Sequence, residues 1–177
     1  MKNILITGAS GFVGRHLVNN LLKNTQYRIY LLIRSKRHMT AMDRCQELFS
    51  NYTELINLRI IPIEGELEEP KFGLNDQKFE ELANGINMIY HTAATIKFNL
   101  PYNQAYSINV KGTKNCLLLA QMAGVTFERF HHVSTAYVNT VLATGQNRDF
   151  NNTYEQTKYE AELLFQNTPD IPYTIYR

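Results

Sequence analysis

At 177 residues, with 44% hydrophobic and 19% charged residues, the chain carries enough apolar material for one domain with a sizeable core, and its composition excludes disorder. A formal net charge of +2 gives no electrostatic case for nucleic acid or a membrane surface as a partner. No apolar stretch approaches a bilayer span, and the opening MKNILITG lacks a signal-peptide core, so a cytoplasmic protein with no membrane span is expected.

In chain order, NILIT (3–7) reads as a buried strand, followed by a helix from Phe12 whose stripe is Val13, Leu17, Val18, Leu21 and Leu22. RIYLLI (28–33) is a second strand. MTAMDRCQELFSNY then puts Met42, Cys45, Leu48, Phe49 and Tyr52 on one helical face. LRIIPI (58–63) is the third strand, and NDQKFEELANG is a helix capped by Asn75 and closed at Gly85. NMIYHT (87–92) is the fourth strand, and YNQAYSINVKGTKNCLLLAQMAG predicts one long helix closed by Gly124. RFHHVST (129–135), a long polar connection over 139–153, the helix YEQTKYEAELLFQN and the strand YTIYR (173–177) complete the pattern. The strand runs are continuous rather than alternating, as in strands covered on both faces. Regular alternation of strand and helix predicts an α/β doubly wound parallel sheet (a Rossmann fold) of about six strands, with the chain 1–177 as one domain. Cys45 and Cys116 have neither metal nor redox spacing and are expected to be buried thiols.

The stretch LITGASGFVG carries the first chemical signal. Its glycines, Gly8, Gly11 and Gly14, follow a strand and open an amphipathic helix, the context in which a glycine-rich turn holds a dinucleotide. Gly8 permits the turn, Gly11 lets backbone N–H groups reach a pyrophosphate, and Gly14 lets the helix approach the strand. The anion then rests on the positive helix N-terminus. Enzymes that bind NAD place an acidic residue after the second strand to hold the ribose 2′-hydroxyl. Here the chain reads LLIRSKRH, with Arg34, Lys36 and Arg37 and no carboxylate, which suits a 2′-phosphate and so NADP(H). After the fifth strand, Tyr154 and Lys158 lie one helical turn apart in TYEQTKYE, with the hydroxyls of Ser134 and Thr135 at that strand's end.

In order, TGASGFVG, HTAA, NVKGT, VSTAYV and YEQTK resemble the extended short-chain dehydrogenase/reductase superfamily over nearly the whole chain. LLIRSKRH with an extra helix before the third strand, GELEEPKFGL, and HTAATIKFNLPYNQAYSINVKGT running into FHHVSTAYVN are similar to its acyl-thioester reductase branch. That branch includes the fatty acyl-CoA reductases and the male sterility-type NAD(P)-binding domain. The resemblance implies a catalytic set of Tyr154 as general acid, Lys158 as its partner and Thr135 as the active-site hydroxyl. It implies cofactor contacts at Thr7, Gly8, Ser10, Gly11, Phe12, Val13, Gly14, Arg34, Lys36, Arg37, Leu67, Thr92, Ala93, Ala94, Asn109, Tyr154 and Lys158, and no metal. The family's adenine-contacting aspartate is replaced by Glu66, a longer side chain at the same place. His91, His131 and His132 are expected to be strand-packing or surface residues, because the Tyr–Lys pair already supplies the acid.

The implied reaction is NADPH-dependent reduction of an acyl-CoA or acyl carrier protein thioester to the aldehyde or alcohol. Hydride arriving at a carbonyl carbon places charge on the oxygen, so hydroxyl donors are needed there, and a lysine ammonium beside a phenol favours the ionised phenol. Two other readings stay open: a sugar-nucleotide or hydroxysteroid-type epimerase, dehydratase or reductase, and a non-enzymatic NADP-sensing protein. In the superfamily a substrate-binding region follows the arginine matched by Arg177, so that region is expected to be absent from this chain.

Overall fold

A computed structural model describes residues 1–138 and 150–177. The strands β1 (Asn3–Thr7), β2 (Arg28–Ile33), β3 (Ile60–Glu64), β4 (Met88–His91), β5 (Arg129–Val133) and β6 (Tyr173–Tyr176) form one sheet in the order β3-β2-β1-β4-β5-β6. Every neighbouring pair is parallel. The chain winds outward from β1 in one direction and then from β4 in the other, so a crevice opens where β1 and β4 diverge at their carboxyl ends. The doubly wound sheet expected from the sequence is the one observed.

Helices α1 (Phe12–Asn24) and α2 (Ala41–Leu48) cover one face, over Ile4, Ile6, Ile29, Leu31, Ile33 and Ile60. Helices α3 (Asp76–Gly85), α5 (Gly112–Ala123) and α6 (Thr153–Gln166) cover the other, over Leu5, Ile89 and Phe130. Coverage on both faces holds for the central strands but not for the edge, where Arg129, Tyr173 and Tyr176 are exposed. Each face follows from the period-two alternation of strand side chains. The same alternation puts Thr7, His91 and His132 in one row on the α5/α6 face, because Thr7 pairs with His91 and His91 with His132.

Local chemistry sets the helix ends. The Asn75 side chain accepts from the Lys78 N–H, and Thr40 and Asp43 form a reciprocal cap on α2. The Asn152 side chain accepts from the Glu155 N–H to start α6. Three sequence expectations need correction. The long helix is interrupted: α4 (Tyr102–Tyr106) passes through a π turn (Ser107–Lys111) into α5. The second helix stops at Leu48, and residues Ser50–Leu55 continue as 3₁₀ turns. Val13 is 51% exposed, so the buried stripe of α1 starts at Leu17 and runs through Val18, Leu21 and Leu22. Cys45 and Cys116 are both buried, and burial pushes the Cys45 thiol up to about 11 and the Cys116 thiol higher. Among the described residues no helix is long and apolar enough to cross a membrane. Most of the long connection expected at 139–153 lies outside the described residues.

Candidate functional site

The turn after β1 is built around two glycines that tolerate no side chain. Gly8 has φ +76°, and a Cβ there would lie 2.6 Å from the Ala93 nitrogen. A Cβ on Gly14 would lie 2.3 Å from the Gly8 carbonyl oxygen, so α1 reaches the turn only because residue 14 has none. Gly11 is under less steric demand and serves as the N-cap. No side chain caps α1 and its first turn has no acidic residue, which leaves a positive helix end open to an anion.

A cleft of about 550 Å³ occupies the crevice between β1 and β4. Thr7, Gly8, Ser10, Gly11, Arg34, Glu66, Leu67, Thr92, Ala93 and Ala94 line it, so ten of the residues expected at the cofactor share one concavity. Phe12, Val13, Gly14, Lys36, Arg37 and Asn109 lie outside that lining. Phe12 is 81% exposed on the first turn of α1, so Phe12 and Val13 can offer a ligand their backbone rather than a shaped side-chain wall. Lys36 and Arg37 sit in a tight turn closed by reciprocal 3.0 Å bonds between Lys36 and Met39, with Arg37 at φ +56°.

The sequence reading missed Arg44. It comes from α2, donates from Nη1 to the Arg34 carbonyl, and lines the cleft with Arg34 at the end of β2. Glu66 lies in the same region. Burial raises its pKa, Arg34 lowers it, the neighbours Glu68 and Glu69 raise it, and Arg44 lowers it. The available signal was a basic residue one turn into the extra helix that follows Arg34.

A buried polar chain crosses the carboxyl rim of the sheet. The Ala93 N–H donates to Thr7 Oγ1 at 3.4 Å, and Thr7 Oγ1 lies 2.6 Å from His91 Nδ1. His91 Nε2 lies 3.0 Å from Thr113 Oγ1, and that hydroxyl donates to the Asn109 carbonyl at 2.7 Å. Because the Thr113 proton is used, His91 carries its proton on Nε2 and accepts at Nδ1 from Thr7. Burial, and then the Lys158 charge, hold its pKa down to about 3, so it is neutral. The Asn109 side chain accepts from Thr95 N–H at 2.9 Å and donates to Thr95 O at 3.3 Å and to Thr157 Oγ1 at 2.9 Å. Asn109 therefore clamps the cleft-lining loop after β4 to α6, from inside the π turn, a distortion often found at functional sites.

At the other end of this rim, the 2%-exposed side chain of Lys158 runs inward from α6. Its Nζ donates to the Val133 carbonyl at 2.7 Å and lies 3.3 Å from His132 Nε2. Burial lowers the Lys158 pKa to about 8, against an upward pull from Glu162. Thr135 is buried two residues beyond Val133, and its Oγ1 accepts from the Tyr137 N–H at 3.4 Å. Tyr154 stands one turn before Lys158, with its ring 5.6 Å from that of Phe98 in the loop after β4. Thr153 Oγ1 donates to the Leu100 carbonyl at 2.8 Å, tying the start of α6 to the same loop. Lys158, through its bond to the Val133 carbonyl, and Thr135, two residues further along, thus both lie at the end of β5. Among the described residues Tyr154 bonds to neither, and none of the three lines the cleft itself. The described residues offer no cluster of metal-binding side chains.

Known proteins are similar to this chain in sequence and in fold. The sequence family described as Male sterility protein matches residues 6–177. Fatty acyl-CoA reductase 1 of Rattus norvegicus is 38% identical over 146 residues, covering 77% of this chain and 28% of that protein. The terminal R domain from the myxalamid PKS-NRPS biosynthetic pathway superposes with a TM-score of 0.81 at 31% identity, over 99% of this chain and 48% of that one. A thiolation-reductase di-domain from an archaeal non-ribosomal peptide synthetase superposes with a TM-score of 0.81 at 27% identity, covering 98% and 40%. The chain spans under a third of the length of the curated reductases it matches. With its glycine turn, cleft and sheet order on the page, the chain belongs to the male sterility family of NAD(P)-binding domains.

Proposed function

We propose that this chain is the cofactor-holding and hydride-directing part of an NADPH-dependent reductase of acyl thioesters carried on coenzyme A or a carrier protein. One observation carries the reading: a single sheet rim holds a dinucleotide-sized cleft lined by two arginines and, a strand away, a buried lysine bonded to the Val133 carbonyl, two residues before a buried threonine. The likeness to fatty acyl-CoA reductase 1 supports an acyl thioester as the substrate.

The residues fit the cofactor. The open end of α1 would take the pyrophosphate, Arg34 and Arg44 would take the 2′-phosphate, and Ala93 and Ala94 would leave room beside the β4 loop for ribose and nicotinamide. When bound, NADPH supplies a hydride to the thioester carbonyl carbon. Charge grows on the carbonyl oxygen, and Thr135 donates a hydrogen bond to it while Tyr154 delivers a proton. Lys158 places a positive charge one turn from the Tyr154 ring and favours the phenolate left behind. The resulting hemithioacetal expels the thiol and leaves the aldehyde, and a repeat of the cycle takes the aldehyde to the alcohol.

The test is consumption of NADPH by this chain joined to a substrate-binding region like the one expected after Arg177, with a long-chain acyl-CoA or with a UDP-sugar. Oxidation that depends on the acyl-CoA is expected. A response to the UDP-sugar alone would move the chain to the epimerase-type reading.

A further inference from the structure

We propose that His132 is a positioning residue for Lys158: its Nε2 lone pair and the Val133 carbonyl together fix the Lys158 ammonium at the end of β5. The inference rests on the reading of Lys158 as part of the reducing set.

The two ring nitrogens of His132 stand in different surroundings. Lys158 Nζ lies 3.3 Å from Nε2. An ammonium has only donors, so Nε2 must be unprotonated and the ring proton must sit on Nδ1. That Nδ1 is buried and has no hydrogen-bond partner. The side chain is 0% exposed, with its ring centre 5.2 Å from that of Phe165 and 5.4 Å from that of His91. An apolar ring would fill this slot without an unpaired N–H group. What only the imidazole adds is an acceptor facing Lys158.

His91, next in the row, uses both of its nitrogens on Thr7 and Thr113 and so contributes no acceptor to the lysine. Val133 O and His132 Nε2 therefore occupy two of the three N–H groups of Lys158. The third has no partner among the described residues and is aimed by the other two. Loss of the imidazole acceptor leaves the ammonium on one carbonyl, free to turn about it.

The titratable groups around Lys158 are His132 from β5, His91 from β4 with Cys116 of α5 behind it, and Tyr154 and Glu162 on α6 itself. Glu162 is in turn paired with Arg177 at 2.6 Å and accepts from Ser134. Burial favours the neutral form of His132, and Lys158 and then His91 add to it. A neutral His132 favours the charged form of Lys158 by accepting a hydrogen bond from its ammonium.

The test uses the unliganded chain and needs neither cofactor nor substrate, so its outcome is separate from that of the acyl-CoA assay. Side-chain ¹⁵N shifts of His132 should show a bare Nε2 and a protonated Nδ1 from pH 6 to 9. The opposite tautomer would overturn the proposal without any substitution. The Lys158 Cε shift, followed from pH 6 to 11, should give a midpoint near 8 in the unaltered chain. His132→Phe should lower that midpoint by roughly half to one unit, and His132→Gln, whose Oε1 can stand where Nε2 accepts, should restore most of it. A midpoint that His132→Phe leaves unchanged or raises would show that the ring only fills space.

Discussion

Replacing Tyr154 by Phe, in a protein that also carries the substrate-binding region, is expected to lower turnover by roughly two to four orders of magnitude, the range for a positioned proton donor, while NADPH affinity stays unchanged. The substitution removes one oxygen. The Phe98 ring contact at 5.6 Å can persist, and the Asn152 cap and the Thr153 bond to the Leu100 carbonyl hold the start of α6 where it is. Lys158 keeps its own partners on β5. The lost hydroxyl is the only proton source proposed at the carbonyl oxygen, so the loss should appear in kcat rather than in KM. Single-turnover kinetics with saturating cofactor measures it. Near-normal turnover would remove Tyr154 from the mechanism.

The second large effect concerns stability and pH. Lys158 titrates near 8 in the folded chain, against an ordinary 10.5, and it is almost wholly buried. Between those values the unfolded chain holds a proton that the folded chain has released, so stability rises as pH rises through that window. The stabilisation is complete above about 10.5 and lost below about 8, and it amounts to roughly 3 kcal/mol. Buried thiols act in the opposite direction over the same range, because unfolded Cys45 and Cys116 ionise earlier than folded ones. The informative quantity is therefore the difference between the unaltered chain and Lys158→Met, followed by denaturant unfolding from pH 7.5 to 10.5. That difference should shift in favour of the unaltered chain as pH rises. A constant difference would mean that Lys158 is not held in a desolvated place. On the acid side, His91 and His132 are both pushed down by burial. Their stability contribution is present above about 6.5 and is lost as pH falls towards their folded values.

The strands, the glycine turn and the cap at Asn75 were legible because each depends on residues close together in sequence. Other features depend on how distant pieces meet. The π turn at Ser107–Lys111 lies inside a stretch whose apolar periodicity reads as one helix, and nothing local marks the extra residue in the turn. Arg44 reaches the cleft only because α2 folds back over the end of β2, so Lys36 and Arg37, nearer to Arg34 in sequence, drew the expectation instead. The row Thr7, His91 and His132 depends on register between β1, β4 and β5. Alternation shows which face each residue takes but not which neighbour it meets, so both histidines read as packing. Asn109 was expected near the cofactor, and it acts one residue removed, by clamping the Thr95 backbone to Thr157.

The reading as a whole stands on the cleft between β1 and β4 being an NADPH site closed by Arg34 and Arg44. Calorimetric titration of the chain with NADPH and with NADH tests this most directly, since it needs no turnover. Charge-assisted bonds to the 2′-phosphate should make NADPH roughly ten- to a hundredfold tighter, and Arg34→Ala should remove most of that advantage while leaving NADH unaffected. Equal affinity for the two cofactors in the unaltered chain, or an Arg34→Ala variant that weakens both alike, would contradict the account.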